Sequence, residues 1–235
     1  EGDGKINLNV NAAAVNAKVL NSGSIKADGG YVVMTARDAS NVLNTVVNNS
    51  GTIEAKSLKN VNGTILLDGG EQGVVQVGGS IDASGDEAGQ TGGNIKAIGK
   101  YTNVTGSLKA TGDQKGGLIE TSGDVLRIAD EALINASSTN GKAGEWLLDP
   151  LQIVIADTKP DNRGIQKFER YSDADKSSSG NTVTWTCSNN TEKAATTDNM
   201  NLVSYILTDQ VETMLNKGTK VVIQESGSKD NEEYF

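Results

Sequence analysis

The chain has no histidine, one cysteine, two prolines and only 4% aromatic residues among its 235 positions. Each shortage removes chemistry. Without an imidazole there is no Ser-His-Asp or Cys-His activation, no HExxH centre and no histidine metal site within this chain. The lone Cys187 makes neither an intrachain disulfide nor a cysteine-cluster metal site and reads as a small semi-buried residue. Lys and Arg number 21 against 30 Asp and Glu, for a net charge of −9. That balance opposes nucleic acid and anionic membranes, which are held by basic stripes. No run of 18 apolar residues occurs, and Glu1-Gly2-Asp3-Gly4 is no signal peptide; the start reads as a cut within a longer protein. With so few rings, a core has to be built from Val, Ile, Leu and Ala in thin layers.

What is abundant is glycine, 28 in all, and it is periodic. Gly-[Ser/Thr]-[Ile/Leu]-x-Ala occurs at 23–27, 51–55, 79–83 and 106–110, with a degenerate copy at Leu133-Ile134-Asn135-Ala136. The aliphatic position steps from 25 to 53, 81, 108 and 134, intervals of 28, 28, 27 and 26. A second motif follows each first one, a glycine or glycine pair leading a short strand: Gly29-Gly30-Tyr31-Val32-Val33, Gly63-Thr64-Ile65-Leu66-Leu67, Gly92-Gly93-Asn94-Ile95, Gly116-Gly117-Leu118-Ile119 and Gly144-Glu145-Trp146-Leu147-Leu148. A third strand completes the unit at 74–77, 101–104, 125–128 and 153–155. Three short strands per repeat, with Gly, Asn, Asp and Ser corners and no intervening helix, predict an all-β right-handed parallel β-helix. Alternation sends Ile25 and Ala27 inward and Lys26 outward. Stacking then aligns Ile25, Ile53, Ile81, Leu108 and Ile134 as one interior ladder, and no single repeat closes a core alone.

The period predicts β-helix coils over 1–156. Residues 157–181 are polar and aperiodic and read as an excursion loop. Residues 182–224 read as a further coil, with Thr182 to Trp185 as a strand. In that coil Thr208 caps an inserted helix at about 209–217, which sets Val211, Met214 and Leu215 on one face and stops at Gly218. The acidic stretch 225–235 reads as a frayed end.

Gly141-Lys142-Ala143-Gly144-Glu145-Trp146-Leu147-Leu148-Asp149-Pro150, preceded by Gly117-Leu118-Ile119-Glu120-Thr121-Ser122-Gly123, resembles a signature of filamentous-haemagglutinin-like exoproteins of bacterial two-partner secretion systems. Leu207 to Val221 resembles a segment located downstream of it in that family, so the likeness covers roughly 79–224. The resemblance implies a secreted or cell-surface β-helical rod, often an adhesin. It also implies an outer-membrane transporter partner acting through an N-terminal domain, and host-cell surface glycans or glycoproteins as targets. The family's secretion domain carries Asn-Pro-Asn motifs, and neither Pro150 nor Pro160 lies in one, which places this stretch in the shaft. The matching motifs form the fold, so the family transfers no binding residue.

Candidate chemistry is sparse. Glu54 and Asp82 fall on adjacent coils at a spacing that suits a carboxylate pair, or else belong to a solvated ladder with Lys26 beside Glu54 and Lys109 beside Asp82. Asp82 to Glu87 offers corner oxygens for Ca²⁺ without the nonapeptide repeat of calcium β-rolls. The glycine pairs at 29, 92 and 116 have no following Gly-Lys-Ser/Thr and read as corners. Trp146 reads as packing. Trp185, with Lys159 and Arg163 in the polar excursion, is the candidate ligand contact. Sequons at Asn48, Asn62, Asn103, Asn135 and Asn189 are candidate glycosylation sites. No cofactor is implied, and the expected role is a non-enzymatic adhesin segment. The alternatives are a module binding a soluble host factor such as a haem carrier protein, and a β-helical carbohydrate-active enzyme.

Overall fold

The computed structural model of the chain describes residues 7–13, 18–37, 46–58, 61–151, 153–156, 175–179, 182–187, 190–196 and 204–224. The expected fold is present: a parallel β-solenoid, with one short helix among the described residues. Each circuit passes three faces, called I, II and III in chain order. The first runs through β1 (Asn7–Ala13), β2 (Lys18–Asn21) and β3 (Ser24–Lys26), the next through β4 (Tyr31–Arg37), β5 (Val46–Asn49) and β6 (Thr52–Glu54). In the following two circuits the second and third strands of the repeat fuse. There β7 (Thr64–Val77) and β9 (Asn94–Val104) each cover faces I and II, ahead of β8 (Ser80–Asp82) and β10 (Ser107–Lys109) on face III. Then come β11 (Leu118–Gly123), β12 (Val125–Ile128) and β13 (Leu133–Asn135), followed by β14 (Glu145–Pro150) and β15 (Ile153–Ala156). Face I stacks as β1-β4-β7-β9-β11-β14 and face III as β3-β6-β8-β10-β13.

The register is the one the period dictates. Ile25 pairs with Ile53, Ile53 with Ile81, Ile81 with Leu108 and Leu108 with Ile134. Ile53, Ile81, Leu108 and Ile134 are buried in one core with Ile65, Ile95, Ile119 and Trp146 of face I. Ile25 is only half-buried, because β3 ends its sheet among the described strands. Glycine opens the first motif because successive corners touch backbone to backbone: a Cβ on Gly79 would overlap the Gly51 carbonyl oxygen, and one on Gly106 would overlap that of Gly79. Asn21 and Asn49 stack at the same corner, the Asn21 Nδ2 donating to Asn49 Oδ1 at 2.8 Å.

Past β14 the chain departs from the expected order. Ile153–Ala156 does not stack on β12. The strand seated there is β19 (Ser204–Leu207), which pairs with β12 on one side and β15 on the other. Ile206 of β19 is fully buried in the core and the Ser204 Oγ accepts from the Leu126 amide at 2.8 Å. From β19 the chain enters α1 (Thr208–Asn216) and then β20 (Lys220–Ile223), which stacks on β14. The helix takes the place of a face III strand, and Thr219 after it receives the Ala136 amide on its Oγ1 at 3.0 Å.

Four further expectations differ from the structure. Thr182 to Trp185 is a strand, but not of a coil. It lies in β17 (Thr182–Cys187), antiparallel to β16 (Asp175–Ser179) and β18 (Asn190–Thr196). Two residues separate each of these strands from the next, enough for a hairpin and far too few for a parallel return. The polar excursion loop expected at 157–181 contains β16; its remaining residues, and 225–235, lie outside the described residues. The helix N-cap is Leu207, not Thr208, and the Gln210 Oε1 accepts from the Leu207 amide at 3.0 Å. Gln210 is buried where Leu215 was expected to be. Its Nε2 donates to the Ala129 carbonyl at 2.9 Å, whereas Leu215 is 51% exposed. Met214 is buried, Val211 packs against the core, and Gly218 ends the helix at φ 81° as expected.

Candidate functional site

The outer ladder of face III gathers most of the candidate chemistry. Strand register sets Lys26, Glu54, Asp82, Lys109 and Asn135 in one column. Lysines engage both carboxylates of the candidate pair. The Lys26 ammonium bonds Glu54 and reaches Asp28 at 3.1 Å. Lys56, one coil above Asp28, lies 3.7 Å from Asp82 and 2.8 Å from Asp86. Lys109 turns to Asp86 at 3.5 Å, so the expected Lys109–Asp82 neighbourhood exists in register while the ion pair goes to the corner. The hydrogen bond from Lys56 holds the Asp86 carboxyl below its ordinary range, and the same bond raises the Lys56 ammonium. Both effects favour the ionised forms of the Lys56–Asp86 pair.

Lys56 was the residue the first motif did not single out. It stands in the next column outside the motif, Asp28-Lys56-Ser84-Thr111, in which the Asp28 Oδ1 accepts the Lys56 amide at 3.1 Å and the Ser84 and Thr111 hydroxyls meet at 3.0 Å. Its signal was available one residue past the alanine of each copy.

The candidate calcium corner is occupied by protein partners. The Asp82 Oδ1 accepts the Ser84 amide at 2.9 Å, Asp86 takes two lysines, and the Glu87 Oε2 accepts from Gln90 at 3.1 Å. Beside it Asp113 accepts from the Gly89 amide at 2.7 Å and from Asn140 at 2.6 Å, bonds that hold its carboxyl low. No group of three His, Cys, Asp or Glu with metal-holding geometry occurs among the described residues.

The two tryptophans separate cleanly. Trp146 is fully buried, pairs in register with Ile119, and donates its Nε1–H to the Thr121 hydroxyl at 3.1 Å. Trp185 stands in the antiparallel sheet with Lys176 and Glu192 as its register partners. Lys159 and Arg163 lie outside the described residues, as does Asn189. Of the other sequons, Asn62 is exposed and Asn48 half-buried. Asn135 is half-buried with its Oδ1 accepting from the Ser137 amide at 2.9 Å, and Asn103 is buried. The structure thus brings Glu54 and Asp82 together and leaves Trp185 apart from them in its own sheet. Among the described residues no helix is long and apolar enough to cross a membrane.

Fold and surface together define a repeat-built β-solenoid whose face III carboxylates Glu54, Asp82 and Asp86 are matched by lysines. Comparison with protein-family models, with curated proteins and with solved structures finds no match.

Proposed function

We propose that this chain is a shaft segment of a secreted or surface-exposed bacterial adhesin, contacting host-cell glycans or glycoproteins without catalysing a reaction on them. One observation carries the reading: a stack of parallel strands whose side chains are spent on the core and on lysine-compensated outer ladders. Such a rod gains about 4.8 Å of reach per coil, and its faces repeat weak polar contacts that add by avidity. The likeness of 141–150 and 207–221 to filamentous-haemagglutinin-like exoproteins supports the same conclusion. Specificity then belongs to the segment between β15 and β19, with Trp185, Lys159 and Arg163 as its contact residues. Among the described sequons, exposed Asn62 is the best placed for glycosylation.

The test is binding to immobilised glycans and host glycoproteins, run beside a polysaccharide-degradation assay. Trp185→Ala with Lys159→Ala and Arg163→Ala is expected to lower binding at least tenfold. Glu54→Gln with Asp82→Asn should leave it within twofold. Polysaccharide cleavage by the parent, lost in the Glu54/Asp82 variant, would replace the adhesin reading with a carbohydrate-active enzyme. Capture of a haem carrier protein in preference to any glycan would replace it with a soluble-factor module.

A further inference from the structure

Much of the outward side of face II is buried. Alternation aims Val47, Val75, Thr102 and Leu126 into the prism, and therefore aims two neighbouring columns away from it. These are Val46-Val74-Tyr101-Val125 and Asn48-Gln76-Asn103-Arg127, each aligned by strand register. Outward residues of a solenoid face normally keep part of their surface in water, as Leu66, Lys96 and Glu120 of face I do. On face II, however, Val74 is 3% exposed, Tyr101 7%, Val125 8%, Gln76 7% and Asn103 9%. None of Val74, Tyr101 and Val125 belongs to the solenoid core.

This burial has two consequences. The Asn103 Oδ1 is buried with no hydrogen-bond partner among the described residues, which is costly for an amide unless something supplies a donor. Burial also pushes the Tyr101 phenol up to about 12, with the Asp124 charge adding to it. The described elements that pack most closely on β5, β9 and β12 are strands of the solenoid itself.

The connectivity names the cover. β15 and β19 both belong to face II, directly past β12. The chain leaves that face after Ala156 and returns to it at Ser204, so residues 157–203 begin and end beside the buried columns. Even a compact segment of that length spans the roughly 15 Å of three stacked coils. It carries Ile165, Phe168, Tyr171 and Val183, apolar groups suited to cover a sheet face. We propose that the segment between Ala156 and Ser204 docks back on the outer side of face II, covering Val74, Tyr101 and Val125 and meeting Asn103. The sheet face is then a second, smaller core, and the segment is presented from a fixed place on the rod. This holds whether or not the chain is an adhesin.

Photocrosslinking in the full chain tests it. p-Benzoylphenylalanine replaces Arg127 and, separately, Asn48, both half-buried members of the outward column. Irradiation is expected to give intramolecular adducts on peptides from 157–203. Adducts on 38–45, on 225–235 or on a second copy would overturn the proposal, and so would the absence of adducts from both positions. Nitration of Tyr101 by tetranitromethane gives an independent reading. A variant in which a Gly/Ser linker replaces 159–201 should be nitrated at Tyr101 at least tenfold faster than the parent. An unchanged rate in a variant that still melts cooperatively would overturn the proposal; if the variant does not fold, the crosslink decides.

Discussion

Faces I and II share the strands β7 and β9, yet burial alternates along the first half of each strand and runs unbroken along the second. From Thr64 to Gly69 every other residue is buried, and from Gly73 to Val77 all five are. The same change occurs in β9, between Asn94–Gly99 and Tyr101–Val104. Alternation is the mark of a sheet with one side in water, and its loss marks a sheet covered on both. Face II thus behaves as the middle layer of a sandwich while face I remains the wall of a prism. The polar residues Gln76 and Asn103 on the covered side show that the covering is not simple hydrophobic burial.

The largest effect belongs to the side that both faces share, the interior. Ile81→Asp places a carboxylate in the ladder between Ile53 and Leu108 and should cost several kcal/mol, abolishing cooperative melting at neutral pH. A variant that melts like the parent would mean the register assigned to face III is wrong. A more discriminating pair compares outward positions. Val74→Ser on face II should cost about 2 kcal/mol, whereas Leu66→Ser on face I should cost under about 1 kcal/mol. Equal losses in chemical denaturation would erase the distinction between the faces.

Tyr101 sharpens the same contrast through pH. Its folded pKa of about 12 lies above the ordinary value for a phenol. The native state therefore keeps a proton that the unfolded chain gives up near pH 10. The stability this contributes is complete below pH 10 and declines as pH rises toward 12. Spectrophotometric titration should show one late phenol ionisation, missing in Tyr101→Phe, together with a shallower loss of stability above pH 10 in that variant.

The smallest effect is expected on face III. The Lys56–Asp86 pair is partly exposed, so Lys56→Ala should cost under about 1 kcal/mol and less still in high salt. The pair's contribution is present at neutral pH. It fades as pH falls through the lowered carboxyl of Asp86 and, at the other end, as pH rises through the raised ammonium of Lys56. A thermal midpoint in Lys56→Ala that falls as far as in Val74→Ser would contradict the ranking.

Much of this architecture is readable from residue spacing, and the readable part has a common cause. Ile25, Ile53, Ile81, Leu108 and Ile134 stack as their intervals require. The glycines before them mark corners where backbone meets backbone. The ion pairs of Lys56 are harder to see, because Lys56 stands one residue past the motif and its partners Asp82 and Asp86 lie a coil away. Gln210 was passed over for a different reason: a polar residue on a helix is ordinarily read as solvated, and its burial depends on the Ala129 carbonyl and the Leu207 amide that receive it.

By itself, then, the sequence determined the coil: a repeat of 26 to 28 residues, alternating side chains and glycine corners leave one way to stack, since a slipped register would turn the aliphatic ladder outward. Only the tertiary structure decided which strand stacks on β12. Ile153–Ala156 and Ser204–Leu207 are equally good strands, and parallel stacking is made by backbone groups that every residue carries alike. The choice fell to contacts remote in the chain: Ile206 filling the core, the Ser204 hydroxyl on the Leu126 amide, and Thr219 on the Ala136 amide. No local period encodes partners 78 and 83 residues apart.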